Sequence, residues 1–393
     1  RQRQMCIRDR MGEVLTNSQI GGRRNIIING AMQIFQRTSS ATAAGTSYNT
    51  ADRFRADTGT DGAFTTEQST DNPFGTGNSL KCQVTTADTS LSSAQFSRII
   101  QRIEAQDLQQ LSYGTSSAKT LTLSFWVKSN KTGIYSIVLR KPDNTAYHFT
   151  HEYTISSANT WEQKEIIIAP TAGSTSFITA SAGAIDNDNG LGFELSFGLG
   201  QGSTYAIGTS NTWSSNTNTY ASSNQVNWMD STSNNFYLTQ VQLEVGEQAT
   251  PFEHRSFGEE LALAQRYYAV VAHGASSQDG TSHPVSMGAM YNSSTLYSNL
   301  ELPCDMRTTP TLEIVSATGY YTFYRNGGGD VVDDFALTKW GTRVLEFYNN
   351  SDISGTAGHA GFIRTSNSAA KFAVTAELSV SYTHLTLPTI LLV

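Results

Sequence analysis

The chain has 393 residues, 38% of them hydrophobic, 10% aromatic and only 15% charged, and its net charge is −7. That length accommodates two or three domains with at least one sizeable core. The acidic balance and the scattered Lys and Arg argue against a polyanion-binding surface, so nucleic acid is not an expected partner; the longest apolar run is too short to span a bilayer, so membrane insertion is not expected either. Ser, Thr, Asn and Gly are abundant and Pro is scarce, a mix that suits short strands joined by wet loops. Cys6, Cys82 and Cys304 form no CxxC pair, so reduced structural thiols are expected rather than a zinc site or a disulfide framework.

In chain order, the two ends stand apart first. The DNA that encodes MCIRDR at 5–10 also encodes SVSYTH at 379–384 when reverse-complemented. That inverted element resembles the transposase mosaic-end adapter used to build sequencing libraries. Residues 1–10 and 379–393 are therefore expected to be adapter artefacts and are set aside from fold reasoning, with 11–24 as a lead-in.

The segment FSRIIQRIEAQDLQQL at 96–111 fits a helical period, but its Ile-rich start suits a strand; the expected outcome is a strand to about Glu104 and a short helical turn around 107–111. Leu121, Leu123, Phe125 and Val127 alternate with Thr122, Ser124, Trp126 and Lys128, and Leu191, Phe193, Leu195, Phe197 and Leu199 alternate with Gly192, Glu194, Ser196 and Gly198. Tyr237, Val241, Leu243 and Val245 are placed on one face, opposite Gln240, Gln242 and Glu244. Period-two alternation puts one face in a core and one toward water, as in an antiparallel sandwich. IYSIVL and KEIII add buried strands.

The search for chemistry finds no G-x-S-x-G elbow and no P-loop. His148 and His151 form H-x-x-H beside Glu152, but on a strand positions i and i+3 point to opposite faces, so solvated or packed histidines are expected rather than a ligand pair. DNDNG at 186–190 is oxygen-rich, which makes Asp186 and Asp188 a weak calcium candidate beside the simpler reading of a tight turn; no other cofactor is expected. In the polar loop that follows, Tyr205, Trp213 and Tyr220 are glycan-binding candidates, because aromatic faces stack on sugar rings and amides and hydroxyls read sugar hydroxyls. The competing reading makes them loop anchors, and it makes Trp228 a core residue.

PFEHRSFGEELALAQRYY at 251–268 predicts a helix about three turns long. Ser256 and Glu259 form an S-x-x-E capping box, and Leu261, Leu263, Ala264, Tyr267 and Tyr268 supply its apolar positions. A helix so short needs something to pack on, and apolar residues on more than one side fit a connector that also mediates oligomer contacts. Strand-like runs resume beyond it and end with KFAVTAEL. The fold expectation is all-β: a jelly-roll β-sandwich at 25–250, a linker with the capped helix at 251–268, and a second, smaller β-sandwich at 269–378.

NIIINGAMQIFQR, ADRF, AKTLTLSFWVKSN, DNGLGFELSFGLGQGSTY, VNWM and FYLTQVQLEVGEQATPFEHRSFGEELALAQRYY, in this order over roughly 25–268, resemble the tail-fibre and related virion proteins of tailed bacteriophages. Where that family often has Cys in the helix, this chain has Ala264. The resemblance implies an upstream block similar to a carbohydrate-binding-module jelly roll, a variable β-rich block downstream, and typically a homotrimer. It also implies localisation in the virion tail after synthesis in the host cytoplasm, with other tail proteins and bacterial cell-surface polysaccharide as partners. The functional expectation is therefore non-catalytic host attachment through glycan. The rivals are a polysaccharide depolymerase, marked by loss of polymer viscosity, and a structural fibre or baseplate spacer, marked by normal assembly without glycan binding.

Overall fold

The computed structural model describes residues 24–378 except 44, 217 and 275–281. The adapter-like ends and the lead-in up to residue 23 lie outside the described residues. The protein is all-β. Thirteen strands build the first sandwich: β1 (Ser40–Thr42), β2 (Thr46–Ser47), β3 (Phe54–Thr58), β4 (Ala63–Ser69), β5 (Ser79–Thr86), β6 (Phe96–Glu104), β7 (Leu121–Ser129), β8 (Gly133–Lys141), β9 (Tyr147–Ile155), β10 (Glu162–Ile168), β11 (Leu191–Gln201), β12 (Thr212–Ser214) and β13 (Asn235–Val245). They form a six-stranded sheet in the order β1-β4-β5-β13-β7-β10 and a seven-stranded sheet in the order β12-β9-β8-β11-β6-β3-β2. Neighbours such as β11 and β6, or β13 and β7, are antiparallel but distant in sequence, as jelly-roll crossings require.

The alternation seen in the sequence seals the gap between the two sheets. Leu121, Leu123, Phe125 and Val127 from one sheet and Phe193, Leu195, Phe197 and Leu199 from the other are all fully buried in one core, and each such side chain contributes roughly 1.5–3 kcal/mol relative to exposure. The segment at 96–111 is a strand to Glu104 followed by a 3-10 turn, Ala105–Leu111, as expected. Trp228 is fully buried, edge-on to Phe64 at 5.6 Å, and so is a core residue.

One pattern breaks. Gln240 has φ of 48°, and the pairing of β13 with β7 shifts between Thr239 and Gln242. This bulge inverts the alternation. Phe236 and Leu238 join Val241 and Leu243 in the core, while Tyr237 lies on the outer face with its ring 4.3 Å from the Lys128 ammonium. Strict period-two counting placed Tyr237 with Val241, and the extra residue in the strand is why it does not lie there.

Beyond the first sandwich, Ser256 caps helix α1 (Phe257–Gln265), its hydroxyl accepting from the Glu259 amide at 3.2 Å. The second sandwich contains β14 (Tyr268–His273), β15 (Pro284–Asn292), β16 (Thr295–Glu301), β17 (Thr311–Val315), β18 (Tyr321–Arg325), β19 (Gly328–Val331), β20 (Ala336–Trp340), β21 (Val344–Asn349), β22 (Ala360–Thr365) and β23 (Lys371–Thr375). A three-stranded sheet, β14-β23-β17, faces a seven-stranded one, β19-β18-β22-β15-β16-β21-β20. Their core is a separate cluster centred on Tyr321, Phe323, Phe347 and Phe372.

The apolar stripe expected along the helix for oligomer contacts is divided. The helix ends at Gln265, so Tyr267 lies past it and Tyr268 begins β14. Both tyrosines are buried within the chain: the Arg53 guanidinium sits 3.3 Å over the Tyr267 ring and Arg37 sits 3.7 Å over Tyr268. Glu104 accepts from Arg266 Nε at 2.8 Å and from the Tyr267 hydroxyl at 2.5 Å. Glu377, near the end of the second sandwich, pairs with Arg53 and with Arg37. Tyr267 and Tyr268 therefore join the two sandwiches to each other, and these two and Ala264 are buried within the chain, which removes them as a surface for other copies. Leu261 and Leu263 remain half-buried.

Candidate functional site

The outer face of the seven-stranded sheet in the first sandwich carries the densest set of polar side chains, and strand register arranges them in rows. Ser214 lies opposite His148, His148 opposite Arg140, Arg140 opposite Glu194 and Glu194 opposite Arg102. The next row runs Thr212, Thr150, Val138, Ser196, Ile100, Arg55. A third contains Gly198, Arg98, Asp57 and Thr46, with Glu152 opposite Ser136 at its other end. The residues between them in each strand, such as Phe149, Leu139, Leu195 and Ile99, point into the core.

The loop between β11 and β13 folds back over part of this face. Ser222 N donates to Ser136 Oγ at 3.1 Å, Glu152 N donates to Ser210 Oγ at 3.1 Å, and Asn224 Nδ2 donates to Glu152 Oε1 at 3.0 Å. Gly208 makes the close approach possible, since a Cβ there would meet Thr150 Oγ1 at 2.4 Å. Tyr205 and Tyr220 stack at 4.5 Å with an interplanar angle of 6°, Phe96 packs edge-on to both, and the Arg98 guanidinium lies 3.7 Å over the Tyr220 ring. Both tyrosines stay half-buried, so this stack forms a rim beside the polar rows.

The charges in the rows are mutually satisfied on one half. Arg98 binds Asp57 through Nε at 2.9 Å and Nη2 at 2.6 Å, and Glu194 through Nη1 at 3.1 Å; Arg102 Nε binds the other Glu194 oxygen at 2.9 Å. Burial acts to raise the Glu194 pKa, but Arg98, Arg102 and Arg140 outweigh it and hold the carboxyl at about 2. Burial, reinforced by Arg102, lowers the pKa of Arg55.

The other half is unsatisfied. His148 is 1% exposed and neither ring nitrogen has a hydrogen-bond partner. Burial, with Arg140 beside it, pushes the imidazole down to about 4, so it is neutral at physiological pH. Thr150 Oγ1, Ser196 Oγ, Ser214 Oγ and Arg140 Nε are likewise buried and without a partner. Native interiors pair nearly all such groups, so a cluster of orphans on adjacent strands marks a place where ordered water or a ligand supplies the missing bonds. His151, three residues from His148, points the other way, its ring stacked on Phe149 in accordance with strand alternation.

Of the three aromatic candidates, Tyr205 and Tyr220 come together at the rim. Trp213 does not. It is 1% exposed, sits opposite Phe149 on the core side of β12, and donates its indole N–H to Ala169 O at 2.9 Å, so it offers no face to a sugar. Sequence reasoning missed Arg98, Arg102, Glu194 and His148 as one group. The available signal was the pair of arginines alternating through an otherwise Ile-rich strand, since buried charges need partners.

Asp186 and Asp188 serve their turn. Asp188 Oδ1 accepts from Gly190 N at 2.8 Å, and Asp186 Oδ1 accepts from Asn144 Nδ2 at 3.3 Å. Three carbonyl oxygens close by, those of Asp143, Ala182 and Ala184, bind the Lys141 ammonium at 2.5, 3.0 and 3.1 Å. Among the described residues no three His, Cys, Asp or Glu side chains are grouped to hold a metal ion, and the cation at this turn is the lysine itself.

No protein-family model matches the chain, and no curated protein matches it. Solved structures do show similarity. The family 11 carbohydrate-binding module from Clostridium thermocellum, in complex with a β-1,3-1,4-mixed-linked tetrasaccharide, is 14% identical over 50% of this chain and 91% of its own, with a TM-score of 0.28. The N-terminal tandem family 22 carbohydrate-binding modules of a Paenibacillus barcinonensis protein are 7% identical over 92% of this chain and 100% of their own, with a TM-score of 0.28. The enzymatically active domain of tailspike protein 4 from Bacteriophage CBA120 is 14% identical over 56% of this chain, with a TM-score of 0.27; the match spans 21% of that protein.

Proposed function

We propose that this protein is a non-catalytic glycan-binding attachment protein of the tail-fibre type, and that its first sandwich binds saccharide on the outer face of the seven-stranded sheet. The observation that carries the reading is the buried cluster of unpartnered polar groups, His148, Thr150, Ser196 and Ser214, bordered by the Tyr205–Tyr220 stack. Hydroxyl-rich ligands supply both donors and acceptors to such groups, while aromatic faces take the apolar side of a sugar ring. The resemblance of residues 25–268 to phage tail proteins supports a place in the virion tail, with bacterial surface polysaccharide as the partner. A homotrimer with other tail proteins follows from the same resemblance, and repeated weak sites on one fibre would then act through avidity.

On this face the state of Glu194 supports binding rather than hydrolysis. A glycosidic general acid must hold its proton near neutral pH. Glu194 is held ionised by two arginines and Asp57 is bound by Arg98 through two nitrogens. Glu194 therefore holds no proton to donate near neutral pH.

The test is a panel of bacterial surface polysaccharides presented to the full chain, with Tyr220→Ala and His148→Ala alongside. Binding of at least one polysaccharide is expected, weakened roughly tenfold by each substitution, with circular dichroism unchanged. Undiminished binding by both variants rejects this face as the site, and a fall in polymer viscosity on mixing rejects the non-catalytic reading.

A further inference from the structure

We infer that the Arg140 end of this face is an anion subsite, which selects saccharides carrying a carboxylate or phosphate group over neutral ones. The inference rests on the glycan-binding reading and goes beyond it to the class of sugar. Arg140, His148 and Ser214 are consecutive in one row, on strands about 5 Å apart, with Thr150 in the next row beside His148 and Ser196 one strand beyond Arg140. All five have buried polar atoms without partners. Each can donate: a guanidinium N–H, one imidazole N–H and three hydroxyls. The charged member is a cation.

The carboxylates nearby are already engaged. Glu194 has one oxygen on Arg98 and the other on Arg102, and Glu152 accepts from Asn224. Asp57 is taken by Arg98 and lies 3.7 Å from Arg55. Arg140 therefore shares the field of Glu194 without a hydrogen bond to it, and its Nε is left for another acceptor. A neutral sugar would satisfy the hydroxyls but leave that guanidinium N–H on a weaker acceptor. A carboxylate or phosphate group accepts from several donors at once, and charge-assisted bonds are about twice as strong as neutral ones. Neutral His148 fits this arrangement, since it donates one N–H to an anion without adding a second positive charge beside Arg140.

The matched probes are tri-galacturonate, its methyl ester with the same backbone and no charge, and mannose 6-phosphate, each titrated calorimetrically into the full chain at low salt. Tri-galacturonate or mannose 6-phosphate is expected to bind roughly 10- to 100-fold more tightly than the ester. A preference for one acid over the other identifies carboxylate or phosphate as the natural group. Arg140→Gln is expected to abolish the preference and Arg140→Lys to retain part of it, with thermal unfolding reporting that both variants are folded. Equal affinity for the ester and the acids overturns the anion subsite and leaves glycan binding standing. A preference that survives Arg140→Gln in folded protein also overturns it. Silence of both acids overturns it as well, and silence of the polysaccharide panel in addition removes the glycan reading.

Discussion

The two seven-stranded sheets turn opposite kinds of surface away from their cores. In the first sandwich the outer face is polar and buried: Arg102, Glu194, Ser196 and His148 are each at most 2% exposed. In the second, the outer face is apolar and open. Tyr324, Phe362, Met287 and Asn299 follow one another across four strands, with Met287 65% and Phe362 45% exposed and Arg364 lying over the Phe362 and Tyr324 rings. Alternation directs side chains outward in both sheets, but it does not decide what then happens to them. A loop covers part of the first face, and there the buried Glu194 is paired with Arg98 and Arg102. Among the described residues no loop covers the second face in this way, and its rings stay in contact with water.

The comparison is sharpest at the carboxylates. Glu194→Gln leaves Arg98 and Arg102 short of a buried counter-charge and is expected to cost roughly 3–5 kcal/mol in urea unfolding. Glu346→Gln, opposite Asn299 in the row of the exposed face, is expected to stay within about 0.5 kcal/mol. Equal effects would remove the distinction between the faces. Acid adds a second reading of the same group. The folded pKa of Glu194, about 2, lies below the ordinary Glu value of about 4.3, so its contribution is fully present above that value and is lost as pH falls toward 2. The Gln variant is expected to show a flatter stability profile between those limits.

A smaller effect of opposite sign is expected at His148. Its nitrogens have no partners, so His148→Leu removes an unsatisfied group and is expected to leave stability unchanged or raise it by about 1 kcal/mol, while saccharide binding falls. A loss above about 2 kcal/mol would mean that the imidazole is hydrogen-bonded within the fold. The smallest effect belongs to the open face: Phe362→Ser is expected to change stability by no more than about 0.5 kcal/mol. A larger loss would show that this face is covered in solution.

Part of this was open to inspection in one dimension. The alternating runs at 121–127 and 191–199 determine which side chains enter the core, because successive residues of a strand point to opposite faces whatever it pairs with. The same rule separates His148 from His151. Ser256 three residues before Glu259 determines a helix start, because capping is a contact within one turn. Both are local.

Everything that depended on pairing was decided elsewhere. The positive φ at Gln240 moves Tyr237 to the outer face, a bulge that counting by twos cannot show. Trp213 is in the core because β12 pairs with β9 and brings it opposite Phe149. Tyr267 and Tyr268 lie under Arg53 and Arg37, which are over two hundred residues away, so they bind the sandwiches together instead of facing other copies. The candidate site itself combines β12, β9, β8, β11, β6 and β3, strands whose neighbours in space are mostly not their neighbours in the chain. Local rules settle which way a side chain points, whereas only long-range strand pairing settles which other side chains it meets, and a binding face is made of those meetings.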